Sequence, residues 1–254
     1  MSGGRKARPS ALPKAGQCGG FFLAGLAEGR TAGGTAAQTG TAFHACAAAW
    51  HRGLGDMSLA QALLIAPTVP QADWGQVTEW NNAYAADSRN PSGDTPVGRV
   101  AVPYVELPVS VSWPPGGGPD AIIVEGTADQ IRRAADGVLE VWDVKTGKGT
   151  GLDLLNEAAV QLSAYTVAAA ATLGVPVRPG GVIRARDYDT GGPVFWAASW
   201  DYAGAVVFLR SALADLRDVM RGEVRLRPGR HCEWCPQGGP GVCSDVRRPL
   251  KGEG

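Results

Sequence analysis

The chain has 254 residues, 44% of them hydrophobic, with Lys+Arg and Asp+Glu both counting 24. That content can bury one good core in a single domain with appendages. The balanced charge excludes a global basic field but leaves room for a local cationic stripe. No stretch reaches the ~18–20 apolar residues of a membrane span, so a cytoplasmic protein with no membrane partner is expected.

The N-terminus, MSGGRKARPSALPKAG, is basic but has no apolar run behind it, so it does not read as a secretory signal. Residues 1–10 are expected to be a disordered tail and 11–254 a single domain. Ala36–Trp50 reads as a helix carrying His44 and Cys46. Ser58 can cap a second helix, LAQALLIA, ended by Pro67. In Ala72–Ala86, Trp74, Val77, Trp80 and Tyr84 recur at helical spacing. The latter two helices form an expected helical insertion, about residues 55–90, as a small cap beside the main sheet.

Further along, Val102–Trp113 alternates as a strand and Pro114–Pro119 is a turn. Ala121–Ala128 and Gly137–Thr146 are the next strands. A long helix over Leu154–Leu173 is stopped by Gly174 and Pro176. Gly181–Arg186 and Val194–Ser199 read as strands, and Tyr202–Arg221 as a last amphipathic helix. The order of elements predicts an α/β sandwich around one sheet.

The first chemical signal is VWDVKTGKG, Val141–Gly149. Residues two apart in a strand share a face, so Asp143 and Lys145 point the same way. Alone, the pair fits a solvated edge strand as well as a site. Asp129, in EGTADQI, ends the preceding strand, and an antiparallel neighbour would bring it beside Asp143. Two close carboxylates repel unless a cation lies between them, and hard oxygen ligands suit Mg²⁺ or Mn²⁺. Gln161 and Tyr165 lie four apart on the long helix and so share a face, which could meet a phosphate, a base edge or only solvent. His44, on an Ala-rich helix, is either a satisfied core histidine or a third metal ligand.

Cys232, Cys235 and Cys243 stand as C-x2-C-x7-C in HCEWCPQGGPGVC. In a cytosolic chain such spacing is a strong metal-site signal. A fourth thiolate would come from Cys18 or Cys46, and His231 keeps a mixed-ligand Zn²⁺ site open. Upstream, Arg221, Arg225, Arg227 and Arg230 form a basic strip that reads equally as phosphate-contacting or as solvated.

Taken in order, His44 in GTAFH, Glu106 in VELPV, Asp129 in EGTAD, Asp143 and Lys145 in WDVKTGK, and Gln161/Tyr165 in QLSAY resemble the RecB-like branch of the PD-(D/E)XK nucleases. That group includes nuclease domains of bacterial recombination enzymes, CRISPR-associated adaptation nucleases and phage exonucleases. The resemblance covers about Ser10–Cys243. It implies a restriction-endonuclease-like core, a central mixed β-sheet flanked by helices, and a metal-dependent DNA nuclease. Its preferred action would be exonucleolytic, on single-stranded or end-exposed DNA. Carried over, His44, Asp129 and Asp143 hold the metal and Lys145 orients and activates the attacking water. Gln161 and Tyr165 shape the DNA site, with Arg225 and Arg227 as further DNA contacts. Glu106 fits more loosely. The resemblance also implies a [4Fe–4S] cluster on Cys18, Cys232, Cys235 and Cys243, joining the 228–246 segment to the N-terminal side, and protein partners in recombination, repair or phage replication. The rival readings are a structure- or site-specific endonuclease, a non-catalytic DNA-binding module, and a zinc-stapled structural protein.

Overall fold

The structure, a computed structural model, describes residues 5–17, 34–54, 62, 66, 69, 72–89, 102–118, 120–147, 151–186 and 195–223. The elements in chain order are β1 (Arg5–Ala7), a 3-10 turn (Pro9–Ala11), α1 (Leu12–Gln17), α2 (Thr35–Ala49), a π-helical turn (Trp50–Leu54) and α3 (Trp74–Arg89). There follow β2 (Tyr104–Trp113), β3 (Ile122–Arg133), β4 (Leu139–Lys145), α4 (Gly151–Leu173), β5 (Val177–Arg184), β6 (Phe195–Ala197) and α5 (Tyr202–Met220).

These elements build one mixed sheet, ordered β1-β3-β4-β5-β6, with β2 also paired to β3. The β2–β3 and β3–β4 pairs are antiparallel and the β4–β5 pair is parallel, with α4 as the crossover between β4 and β5. The expectation of a mixed sheet flanked by helices holds. One N-terminal expectation does not. Within the stretch read as a disordered tail, Arg5–Ala7 pair in parallel with Ile122–Val124. A three-residue strand carries too short a pattern to register as periodicity; its pairing comes from β3's open edge.

Helices cover both faces. On one, α4 presents Leu155, Ala158, Leu162, Tyr165 and Ala169 at helical spacing to Val109, Ala128, Ile131 and Val141 of the sheet. Leu162 is fully buried; such a side chain stabilises the fold by about 2 kcal/mol. α4 also packs on α5, whose Ala205, Leu209, Ala212, Leu213 and Leu216 join Ala164 and Val167 around α1 and β1. Asp201 caps α5 by accepting from the Gly204 amide at 2.9 Å. On the other face, Phe43 and Ala47 of α2 with Trp80 and Tyr84 of α3 pack on Trp142, Val144 and Ile183. The expected helix after Ser58 lies outside the described residues except at a few isolated positions.

Two irregularities shape the sheet. Ala128 and Ile131, three apart, both join the core under α4, while Gln130 and Arg132 face Tyr84 on the other side. The alternation of β3 therefore slips by one residue at Asp129. The β4–β5 register shifts between Val141 and Trp142. There Gly180 and Gly181 leave room where a Cβ would strike the Trp142 indole or the Trp196 carbonyl.

Candidate active site

The site forms where the sheet forks. The β3–β4 ladder ends at Gln130↔Trp142. One step further the register would set Asp129 opposite Asp143, but the strands part. The Asp129 Oδ2 instead accepts the Val144 amide at 2.7 Å. On the other edge of β3, pairs at Val105↔Gln130 and Leu107↔Ala128 flank Glu106, which would stand across from Asp129. Glu106 has φ 51°, and among the described residues no other non-glycine has positive φ. This left-handed conformation costs a side-chain-bearing residue on the order of 1 kcal/mol or more. It turns the carboxylate towards Asp129.

His44 enters the fork from α2. A Cβ on Gly40, one helical turn earlier, would lie 2.6 Å from the Thr146 hydroxyl, so the bare glycine lets α2 close on the end of β4. His44 Nδ1 then stands 3.5 Å from Asp129 Oδ1 and 3.8 Å from Glu106 Oε1. One ligand atom from each of His44, Glu106 and Asp129 falls within 4.8 Å of the others. Ligands held at about 2.1 Å by one ion stand roughly 3–4 Å apart, so these gaps, too long for strong hydrogen bonds, suit a divalent cation.

Beneath the fork, α4 organises the second half of the site. Asp143 is almost fully buried. Its Oδ2 lies 2.7 Å from the Lys145 ammonium. Gln161 bridges the two, donating from Nε2 to Asp143 Oδ1 at 3.1 Å and accepting from Lys145 Nζ at 3.1 Å. Tyr165, one turn on, is buried against the same region.

The electrostatics follow from this crowding. Burial alone would lower the His44 pKa, but the Asp129 and Glu106 charges overturn that and raise it to about 10. Burial raises the Asp129 carboxyl, yet His44, the Val144 amide and Lys145 hold it below the usual range. Asp143 is pushed up, by burial first and then by Asp129 against the pull of Lys145. Lys145 is held up despite burial because Asp143 faces it, so it stays an ammonium. Burial and the two aspartates likewise push the Tyr165 phenol up. A cluster of acids in which one carboxylate strains towards neutrality is the environment a bound cation relieves.

Residues 9–238 match the family model of the PD-(D/E)XK nuclease superfamily. The chain belongs to that superfamily. Its members are metal-dependent nucleases, so this PD-(D/E)XK chain is a phosphodiesterase at that level of description. Comparison with curated proteins gives no match.

Of the residues singled out from sequence, the fold brings His44, Asp129, Asp143, Lys145, Gln161 and Tyr165 to one fork. Asp143 is not in the three-residue group that could share an ion, and Glu106, the looser fit, is. The signal for Glu106 was slight: one acid in an otherwise apolar strand start. The Gln161 amide is engaged by Asp143 and Lys145. Cys46 is buried and free, its thiol pushed up to about 11 by burial. Cys18, Arg225, Arg227, His231, Cys232, Cys235 and Cys243 lie outside the described residues.

Proposed function

We propose that this chain is a metal-dependent deoxyribonuclease acting as an exonuclease on single-stranded or end-exposed DNA. The observation that carries the reading is the juxtaposition of two halves at one fork: the His44–Glu106–Asp129 group and the Asp143–Lys145 pair bridged by Gln161. His44, Glu106 and Asp129 would hold Mg²⁺ or Mn²⁺, with Asp143 as a further ligand. When bound, the ion supplies Lewis-acid stabilisation of the charge growing on the phosphodiester.

The chain's own groups supply the rest. Lys145, kept as an ammonium, places positive charge beside the attacked phosphate and orients the attacking water. Gln161 holds Lys145 and Asp143 in register so that the charge is already in place at the moment of reaction. In the hydrolysis a water oxygen bonds to phosphorus, the P–O bond to the leaving nucleotide breaks, and the water's proton ends on the departing oxygen. Support for a strand end as substrate comes from the resemblance to RecB-like nucleases.

The spacing of Cys232, Cys235 and Cys243, with Cys18 preceding the nuclease motifs in the sequence, supports a [4Fe–4S] cluster as a staple. Iron with acid-labile sulfide in the anaerobically purified protein supports that part; stoichiometric zinc without iron removes it.

The deciding experiment is anaerobic digestion of end-labelled single- and double-stranded DNA with Mn²⁺, with Asp143→Ala as control. Loss of full-length DNA with the wild type alone supports the nuclease, and mononucleotide products support exonuclease action. Discrete internal fragments favour an endonuclease. Binding without cleavage favours a DNA-binding module.

A further inference from the structure

A cleft of about 700 Å³ includes part of the site, with Glu106, Asp129, Arg8, Ser10, Thr127 and Tyr165 among its lining residues. Its origin is a gap in the sheet. β1 pairs with β3 only up to Val124, and β4 pairs with it only from Gln130 onward. Among the described residues no strand covers that edge of β3 between them. The chain leaving β1 passes this gap as Arg8–Ser10. Gly126 fixes how closely it passes: a Cβ there would lie 3.0 Å from Pro9 and 3.1 Å from the Tyr165 ring.

The charges in the cleft are uneven. Glu106, Glu125 and Asp129 line it, and Arg8 is the one cation among the described lining residues. Glu125 is offset by Lys6 at 3.0 Å. Asp129 and Glu106 would be offset by the catalytic ion. Arg8 is exposed, and the described residues offer it no ion pair. From Asp129 back to Glu125, β3 covers about 13 Å at ~3.3 Å per residue. The volume suits roughly one or two nucleotides, each the size of a drug-like ligand. A duplex, whose major groove alone is about 12 Å wide, does not fit inside.

We propose that Arg8, with Ser10 beside it, is a phosphate-binding subsite for a single DNA strand whose scissile linkage lies over His44, Glu106 and Asp129. The N-terminal segment is then part of the substrate grip, and one strand at a time enters the cleft. This rests on the nuclease reading above and specifies how the strand is held.

The test uses the full chain and a fluorescent single-stranded oligodeoxynucleotide. Steady-state cleavage in Mn²⁺ is compared for wild type, Arg8→Ala and Arg8→Lys, and binding is followed across salt in the Asp143→Ala background. Arg8→Ala should raise KM roughly ten-fold with kcat within about two-fold, as loss of one charged hydrogen bond requires. The salt slope of log K should become shallower by about 0.7, the value for one phosphate contact on a single strand, and Arg8→Lys should restore it. A neutral methylphosphonate linkage walked along the strand should weaken wild-type binding at one position and leave Arg8→Ala indifferent there. An unchanged slope and KM in Arg8→Ala, or equal sensitivity of both proteins to every neutral linkage, overturns the subsite while wild-type cleavage leaves the nuclease standing. A wild type that neither cleaves nor binds the strand overturns the nuclease reading itself. Because Arg8 is exposed, a folding defect is not expected; were Arg8→Ala to misfold, Arg8→Lys against Arg8→Gln reads the same slope.

Discussion

A methyl group on Gly40 would lie 2.6 Å from the Thr146 hydroxyl, so the approach of α2 to the end of β4 depends on residue 40 having no side chain. His44 sits one turn along the same helix. Gly40→Ala should gain about 0.5–1 kcal/mol of helix propensity yet lower cleavage roughly ten-fold by moving His44. Adding Thr146→Ala should restore much of the activity by removing the clash. Cleavage and thermal melting of the single and double variants check this; full activity in Gly40→Ala would mean that the Thr146 side chain simply rotates away.

The ligand roles proposed for Glu106 and Asp143 can be told apart. Glu106→Gln should weaken Mn²⁺ binding at least roughly ten-fold, with cleavage partly recovered at high Mn²⁺. Free Mn²⁺ measured by electron paramagnetic resonance reads the affinity directly. Asp143→Asn should lower both affinity and turnover if Asp143 closes on the ion. If affinity is unchanged and only turnover falls, Asp143 acts through Lys145 at 2.7 Å.

Gln161 is the hinge between Asp143 and Lys145. Gln161→Leu keeps the bulk and removes two charge-assisted hydrogen bonds, each worth about 1.5–3 kcal/mol. We expect kcat to fall ten-fold or more with KM little changed. A raised KM at constant kcat would show instead that Gln161 binds DNA, the role implied by the resemblance of QLSAY to the RecB-like motif.

His51 gives a pH signature away from the site. Its ring meets the Tyr84 hydroxyl in a buried cluster with Gln130 and Arg132, and burial first, then the Arg132 charge, lower its pKa to about 4. The unfolded chain takes up that proton near pH 6.5, so between about 6.5 and 4 it binds more protons than the native state. The contribution is complete above about 6.5 and lost as pH falls to about 4, at a total on the order of 3 kcal/mol. Denaturant melts at a series of pH values should show this loss, and His51→Gln should flatten it.

Much of the fold was legible because its segments are long and strongly patterned. The run of apolar residues on α4, stopped by Gly174, and the alternation in β2 announced themselves, and Asp143 with Lys145 shared a face by strand geometry alone. The three residues of β1 were not legible. Their pairing depends on an exposed strand edge more than a hundred residues away, and no local pattern encodes that.

At the site, the sequence by itself determined the residue types and their order: an acid placed at a strand end that the structure shows to be inside β3, an acid and a lysine on β4, and a histidine on a small-residue helix. Which carboxylates meet was decided only in three dimensions. The slip of β3 at Asp129 and the positive φ of Glu106 turn two strand neighbours towards His44, while Gln161 draws Asp143 to Lys145. The reason is physical. Side-chain direction in a regular strand follows from counting by twos, but at a bulge or fork it is set by how distant elements pack, and that packing is a property of the whole fold.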